Sequence, residues 1–247
     1  MPTAQPEYRF YATLLDRFSD YLGSDALWER YWGFSDSPPH TPEEFRQEQF
    51  QRLIDAVNRV PFDSEATDRG TAFNEVVDAL IERRRPRGME VERTSDGVGY
   101  EVSYGVRTFT FPVALCREFA DYYKGALTQQ WVEAQLPTAL GTVLLCGYVD
   151  ELMPLSVHDI KTTGSYWVGK YKNHWQHMVY PYCLMQSGSD VRLFEYNVTD
   201  FRQTYTESYT FSPERDVPLL RAHCEDFIRF LSDNRTLITD KKIFCET

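Results

Sequence analysis

The sequence predicts an α/β domain: a mixed sheet flanked by helices, with the N-terminal helices as an added layer. Three observations carry this. The periodicities run helices, a meander of strands, one helix, two strands and a last helix, an order that packs helices on a sheet. The length, 247 residues, suits one larger domain or a core with an appendage. At 42% hydrophobic and 26% charged residues, the chain has the composition of one that buries a core.

The elements follow in order. Apolar residues at 10, 14, 15, 18, 21 and 22 have a helical period from Phe10 to Leu22. Trp28, Tyr31 and Trp32 read as helix packing, with a base-stacking platform as the sharper alternative, and Ser37–His40 is a proline-broken loop. Thr41-Pro-Glu-Glu starts a helix that Phe45, Gln49, Phe50, Leu53, Ile54 and Val57 continue. Another helix spans about 68–84 and buries Phe73, Val76, Val77, Leu80 and Ile81. Alternation over 89–111 around Ser95-Asp-Gly predicts a hairpin, and a short helix follows Pro112. Strands are expected at Gln130–Pro137, Val143–Leu152 and Ser156–Thr162, a helix at 173–186, and strands at 191–198 and 201–211. The last helix begins near Ser212-Pro-Glu and lines up Val217, Leu220, Cys224, Phe227, Ile228 and Leu231 on one core-facing stripe.

Composition excludes several classes. The five cysteines are odd in number and contain no C-x-x-C pair, which argues against a disulfide framework, a zinc knuckle or a clustered iron–sulfur site. The longest uncharged stretches, 134–149 and 173–189, contain Gln, Pro, Asn and Gly and are not spanning helices. Met1–Phe10 lacks a basic start and an apolar core, so no leader is expected, and the expected location is cytoplasmic, with no membrane partner. The net charge of −11 disfavours an extended non-specific nucleic-acid surface. It is unevenly spread: residues 1–70 hold 13 acids and 7 bases, whereas 161–189 hold three Lys, two His and no acid. A polyanion could dock on that second segment.

The informative run is Gly147-Tyr-Val-Asp-Glu-Leu-Met-Pro-Leu-Ser-Val-His-Asp-Ile-Lys-Thr-Thr163. Folded as a hairpin around Pro154-Leu155, it sets Asp150 opposite Asp159, where facing Cβ atoms are ~5 Å apart. Alternation puts Asp159 and Lys161 on one face and turns Ile160 to the core. Two adjacent carboxylates repel unless a cation or proton lies between them, and a hard divalent ion such as Mg²⁺ suits a site of carboxylates, a main-chain carbonyl and water. The Lys161 ammonium could orient or deprotonate an attacking water, or stabilise charge on a phosphate. Gln176 and Tyr180, four apart on the helix at 173–186, share a face.

Gly147-x-x-Asp150, Asp159-Ile-Lys161 and Gln176-x-x-x-Tyr180, in that order, resemble the PD-(D/E)XK nuclease superfamily and within it the RecB-like and phage-type exonucleases. The resemblance covers roughly residues 66–230. It implies a restriction-endonuclease-like core over 63–247, with 1–62 a helical extension packed on it. It further implies cleavage of DNA phosphodiesters with one or two Mg²⁺ or Mn²⁺ ions. Asp150, Asp159 and the Ile160 carbonyl match the family's metal ligands, Lys161 its catalytic lysine, and Gln176 and Tyr180 its helix pair that supports the site and touches DNA. His177, Lys170 and Lys172 join that DNA-facing set. One departure is Gly70-Thr-Ala-Phe-Asn74 where the RecB-like branch has Gly-Thr-x-x-His. Asn does not titrate near neutrality but can offer a carbonyl oxygen. Asn74, Glu75 or Glu133 is then the candidate for the missing ligand. The partners implied are DNA and a recombination partner protein.

Blander roles compete. Asn74 is equally readable as a polar group on a helix surface, and Glu133 as part of a solvated strand face. His158 points away from Asp159 and reads as structural, while His174 and His177 read as surface or DNA-facing residues. Arg83, Arg84, Arg85 and Arg87 close a helix, where cations favour the dipole. An endonuclease on the same fold, and a DNA-binding protein without turnover, are the rival functions.

Overall fold

A computed structural model describes residues 5–245; Met1–Ala4 and Glu246–Thr247 lie outside it, including the first four residues of the stretch expected to lack a leader. The architecture is α/β, with a mixed sheet flanked by helices. The chain opens with β1 (Tyr8–Tyr11), α1 (Ala12–Leu22), α2 (Ser24–Trp32), α3 (Pro42–Val57) and α4 (Glu65–Glu82). A small antiparallel sheet of β2 (Glu90–Arg93), β3 (Gly99–Tyr104) and β4 (Arg107–Pro112) follows, and then α5 (Val113–Tyr122). The rest comprises β5 (Leu127–Thr138), β6 (Gly141–Leu152), β7 (Ser156–Thr162), α6 (Gln176–Gln186), β8 (Leu193–Thr199), β9 (Thr204–Thr210) and α7 (Pro213–Asp233).

Local chemistry explains the helix starts. Thr41 and Glu44 form a reciprocal capping box on α3, with Pro42 at its first turn. The Ser64 hydroxyl accepts the Thr67 N–H at 3.3 Å to open α4. The expected hairpin closes at Asp96-Gly97, but Gly105, at φ 59°, makes a second turn, so the segment is a three-stranded sheet of its own. Trp32 packs edge-on against Phe45 at 5.2 Å, as the packing reading expected, while Tyr31 stays exposed.

The central sheet corrects one expectation. Tyr8–Tyr11 is a strand, and it pairs in parallel with Val143–Cys146 of β6. The helix expected from Phe10 starts at Ala12 instead. The first 62 residues are therefore not a purely helical layer added to a complete sheet. Four residues are too short to show a period, and the partner strand is distant in sequence, so no local signal marked β1.

Two cores lie on the two sides of the sheet. Phe10, Leu15 and Phe18 join Leu53, Leu145, Val179, Phe194 and Phe227 in the larger one, which packs α1, α3, α6 and α7. The smaller packs Phe73, Val77, Phe111, Phe119 and Tyr123 of α4, the small sheet and the α5 region against Ile160 of β7. Among the described residues no helix is long and apolar enough to cross a membrane.

Phe10 is fully buried with its ring 4.8 Å from that of Phe227. Phe10→Ala should cost about 3–5 kcal/mol, the usual penalty for deleting a buried aromatic ring. Urea unfolding measures this, and a loss below about 1 kcal/mol would show that β1 is not part of the core.

Candidate functional site

β6 has β5 along one edge, and its other edge is shared by two strands. β1 pairs with it as far as Cys146, and β7 pairs with it only at Glu151 and Leu152. Among the described residues Gly147–Asp150 has no strand partner on that edge. The pairing of Glu151 with His158 is the register that sets Asp150 against Asp159, as the hairpin reading expected. At Asp150 the two strands part, and the carboxylate closes the gap by accepting the Ile160 N–H at 3.0 Å. In an extended strand the N–H and C=O of one residue leave by the same edge, so the Ile160 carbonyl is aimed into the same gap.

The other edge is distorted too. The β5–β6 ladder skips the Gln129/Asp150 pair, where Gln129 takes φ 48°. A left-handed non-glycine residue costs of order 1–2 kcal/mol and concentrates at functional sites. The Gln129 amide donates to Asp150 at 3.5 Å, and Asn74 of α4 donates to it at 3.2 Å.

Asp159 is buried and held from the opposite side of the sheet. Its carboxylate accepts from the Gln176 amide of α6 and pairs with Lys161 Nζ at 2.6 Å. Ile160 turns into the smaller core, as alternation requires. The Tyr180 ring lies over β6 at Gly147, where a Cβ would come within 2.8 Å of it. Gly70 is closely packed on the other side, where a Cβ would meet Thr162 Oγ1 of β7 in a tight contact at 3.1 Å. The spacings Gly147-x-x-Asp150 and Gly70 to Asn74 thus have a packing basis.

Burial, then the nearby Asp159, pushes the Asp150 carboxyl up to about 8. Burial works to lower Lys161, but Asp159, Asp150 and the hydrogen bond to Asp159 together raise it, so it carries its charge at neutral pH. Buried oxygens of Asn74 (Oδ1) and Gln176 (Oε1) have no hydrogen-bond partner among the described residues, and Asp159 Oδ2 has only the Lys161 ion pair. With the Ile160 carbonyl, these are acceptors of the hard oxygen type that Mg²⁺ or Mn²⁺ takes. Among the described residues no three His, Cys, Asp or Glu side chains gather as a metal cage. An ion held here would rest on two carboxylates, neutral oxygens and water.

Several expected site residues lie elsewhere. Glu75 is tied to Arg84 and to the Arg87 N–H, because it leaves α4 on a different side from Asn74. Glu133 is exposed, accepts the Trp131 indole N–H at 2.9 Å and pairs with Cys146, four residues or about 13 Å along β6 from Asp150. His177 is buried and stacks on Tyr209 at 4.5 Å rather than lying at the surface, and burial lowers it to about 4. Lys170 folds back onto Thr163 and the Ser165 carbonyl, fastening its own loop; Lys172 is exposed. His158 is structural, as expected, between Ser156 and Asn197.

Sequence reasoning missed four residues. Asn74, Asp78 and Glu82 form a stripe at helical spacing on α4, and Asp78 and Glu151 are buried beside Asp150. Burial raises both carboxyls, and Asp78 raises Glu151 further, so the pair favours holding a proton. The i, i+4, i+8 spacing was a usable signal. Gln129 and Asp16 had none. Asp16 of α1 accepts the Trp175 N–H at 2.7 Å and faces His174 at 3.3 Å, anchoring the start of α6 and so the position of Gln176.

No protein-family model matches the chain, and no curated protein does. A solved structure described as a crystal structure of SSO0001 is similar at 9% identity and a TM-score of 0.39, over 91% of this chain and 78% of its own. That similarity is too low to carry an argument.

Two predictions follow from the site's packing. The unfolded chain protonates His177 near 6.5 and the fold resists until about 4, so stability is lost as pH falls through that window. By pH 5 the loss from this residue is about 2 kcal/mol, and His177→Phe, which keeps the stack on Tyr209, should flatten the dependence in urea unfolding at pH 7 and 5. Gly147→Ala should cost about 1–3 kcal/mol by overpacking against Tyr180, and less in a Tyr180→Leu background. Equal cost in both backgrounds would place the strain elsewhere.

Proposed function

We propose that this chain is a divalent-metal-dependent DNA nuclease with a restriction-endonuclease-like core, similar to the RecB-like and phage-type exonucleases of the PD-(D/E)XK superfamily. The observation that carries the reading is the meeting of Asp150, Asp159, Lys161 and the Ile160 backbone at the point where β6 and β7 part. An ordinary structural ion pair needs one carboxylate and one ammonium; a second carboxylate beside them, raised by burial and then by the first, is costly without a further function.

In this reading Asp150, Asp159 and the Ile160 carbonyl hold Mg²⁺ or Mn²⁺, with Asn74 Oδ1 as the neutral acceptor where the resembled branch has His. The bound ion would polarise the scissile phosphate and ease departure of the leaving oxygen. Lys161, protonated and locked onto Asp159, orients the attacking water and offsets charge growing on the phosphate. Gln176 fixes the carboxylate rotamer of Asp159, and Asn74 and Gln129 fix that of Asp150. The buried Asp78/Glu151 pair lies beside Asp150, and Asp78 adds to the rise of its carboxyl.

The test is cleavage of end-labelled linear and covalently closed circular DNA with Mg²⁺, Mn²⁺ or EDTA. Degradation of the linear form alone, abolished by EDTA and reduced at least about a hundredfold in Lys161→Ala, is the expected result. Cutting of closed circles would move the reading to an endonuclease. Binding without cleavage under any metal would leave a DNA-binding protein in which Asn74 is the first place to look.

A further inference from the structure

The half of the sheet around β5, β6 and β1 exposes aromatic rings on the face opposite the larger core, although Cys146 in its middle is fully buried. Residues 144, 146, 148 and 150 of β6 alternate onto the face opposite the larger core, and the neighbouring strands add Trp131 beside Tyr148, Tyr11 beside Cys146 and Arg9 beside Leu144. On this face Tyr148 is 58% exposed and Trp131 is 43% exposed, with ring centroids 4.9 Å apart. Tyr148 is two residues, about 7 Å, from Asp150 along β6.

The β1 edge of this face, where it meets α1, α3 and the C-terminal turn, is basic, in a chain of net charge −11. Two adjoining clefts share Arg9: one also takes in Arg17 and Arg59, the other Lys241 and Lys242 with Asp240. Arg59 donates to the Tyr11 hydroxyl at 3.1 Å and pairs with Asp240. Arg9 Nε is buried with no hydrogen-bond partner among the described residues, and Lys241 and Lys242 are exposed. From Leu144, beside Arg9, to Asp150 is six residues, or about 20 Å.

We propose that this face is a track for single-stranded DNA, with Trp131 and Tyr148 stacking bases and Arg9, Arg59, Lys241 and Lys242 meeting phosphates as the strand runs toward Asp150. The proposal rests on the nuclease reading for its direction and deepens it by naming the substrate class. Charge complementarity selects a polyanion. The aromatic pair selects an unpaired strand, because bases in a duplex are stacked on one another and cannot reach rings on a flat sheet face. Glu133, between the aromatic pair and the basic end, is engaged by the Trp131 indole.

The test titrates the full chain, in EDTA so that no cleavage occurs, against a labelled 15-nucleotide single strand and the duplex of the same sequence. The single strand should bind at least about tenfold tighter, and Trp131→Ala and Tyr148→Ala should each weaken it about fivefold to a hundredfold, the range of one lost stack. Trp131→Phe should retain most of the affinity, with thermal midpoints unchanged in all variants. Lys241→Ala with Lys242→Ala should reduce the salt dependence of single-strand binding by a log–log slope of about 1.4. Equal binding of duplex, or aromatic variants that bind like the parent, would overturn the track. Cleavage assays with Mg²⁺ separate the two readings. No cleavage by the parent, with the same binding pattern, removes the nuclease and leaves the track. Cleavage of single strands by Trp131→Ala with an unchanged KM removes the track and leaves the nuclease.

Discussion

Strand β6 has two edges and three partners, and the remaining features of the site depend on how it divides one edge between β1 and β7. A buried strand edge with unpaired backbone costs free energy comparable to lost hydrogen bonds. Here the Asp150 carboxylate takes the Ile160 N–H that the ladder no longer satisfies. The Tyr180 ring covers the strand beside it, which is why position 147 is glycine. Without β1 the split has no second arm, so the N-terminal segment is part of the site's foundation, and Asp16 on α1 extends that role to the start of α6.

The opening collects charge that a fold would otherwise avoid. Asp150 lies between Asp159, which pairs with Lys161, and the Asp78/Glu151 pair, and burial raises Asp150, Glu151 and Asp78. Hydrogen bonds from Asn74, Gln129 and Gln176 hold the two forward carboxylates in place. Gln129 does so from a left-handed backbone. Strain and unneutralised acid in one place are features that a fold retains where the site does something with them, since replacing them would stabilise the protein.

How much of this was legible in the sequence divides along physical lines. The register that faces Asp150 with Asp159 was readable, because a tight turn at Pro154-Leu155 and strand alternation determine it locally. The shared face of Asp159 and Lys161 and the inward Ile160 followed from the same periodicities, whereas the support that Gln176 gives Asp159 was implied only by the resemblance. β1 was not readable: four residues carry no period, and their partner is far along the chain. Asp16 was invisible for the same reason. Glu75 and Glu133 were misplaced because residue type alone suggested them, whereas Arg84 captures one and strand distance removes the other. His177 was taken for a DNA-facing residue because its neighbours in sequence are basic, although its helix turns it onto Tyr209.

The most direct test of the central claim is the effect of Mn²⁺ on unfolding of the parent and of Asp150→Asn, followed by urea titration at constant pH. If the two carboxylates form a site for a divalent ion, Mn²⁺ stabilises the parent in a concentration-dependent way. Asp150→Asn, relieved of carboxylate repulsion, should be at least as stable as the parent without metal and should gain nothing from Mn²⁺. A variant that is destabilised without metal and still responds to Mn²⁺ like the parent would contradict the account.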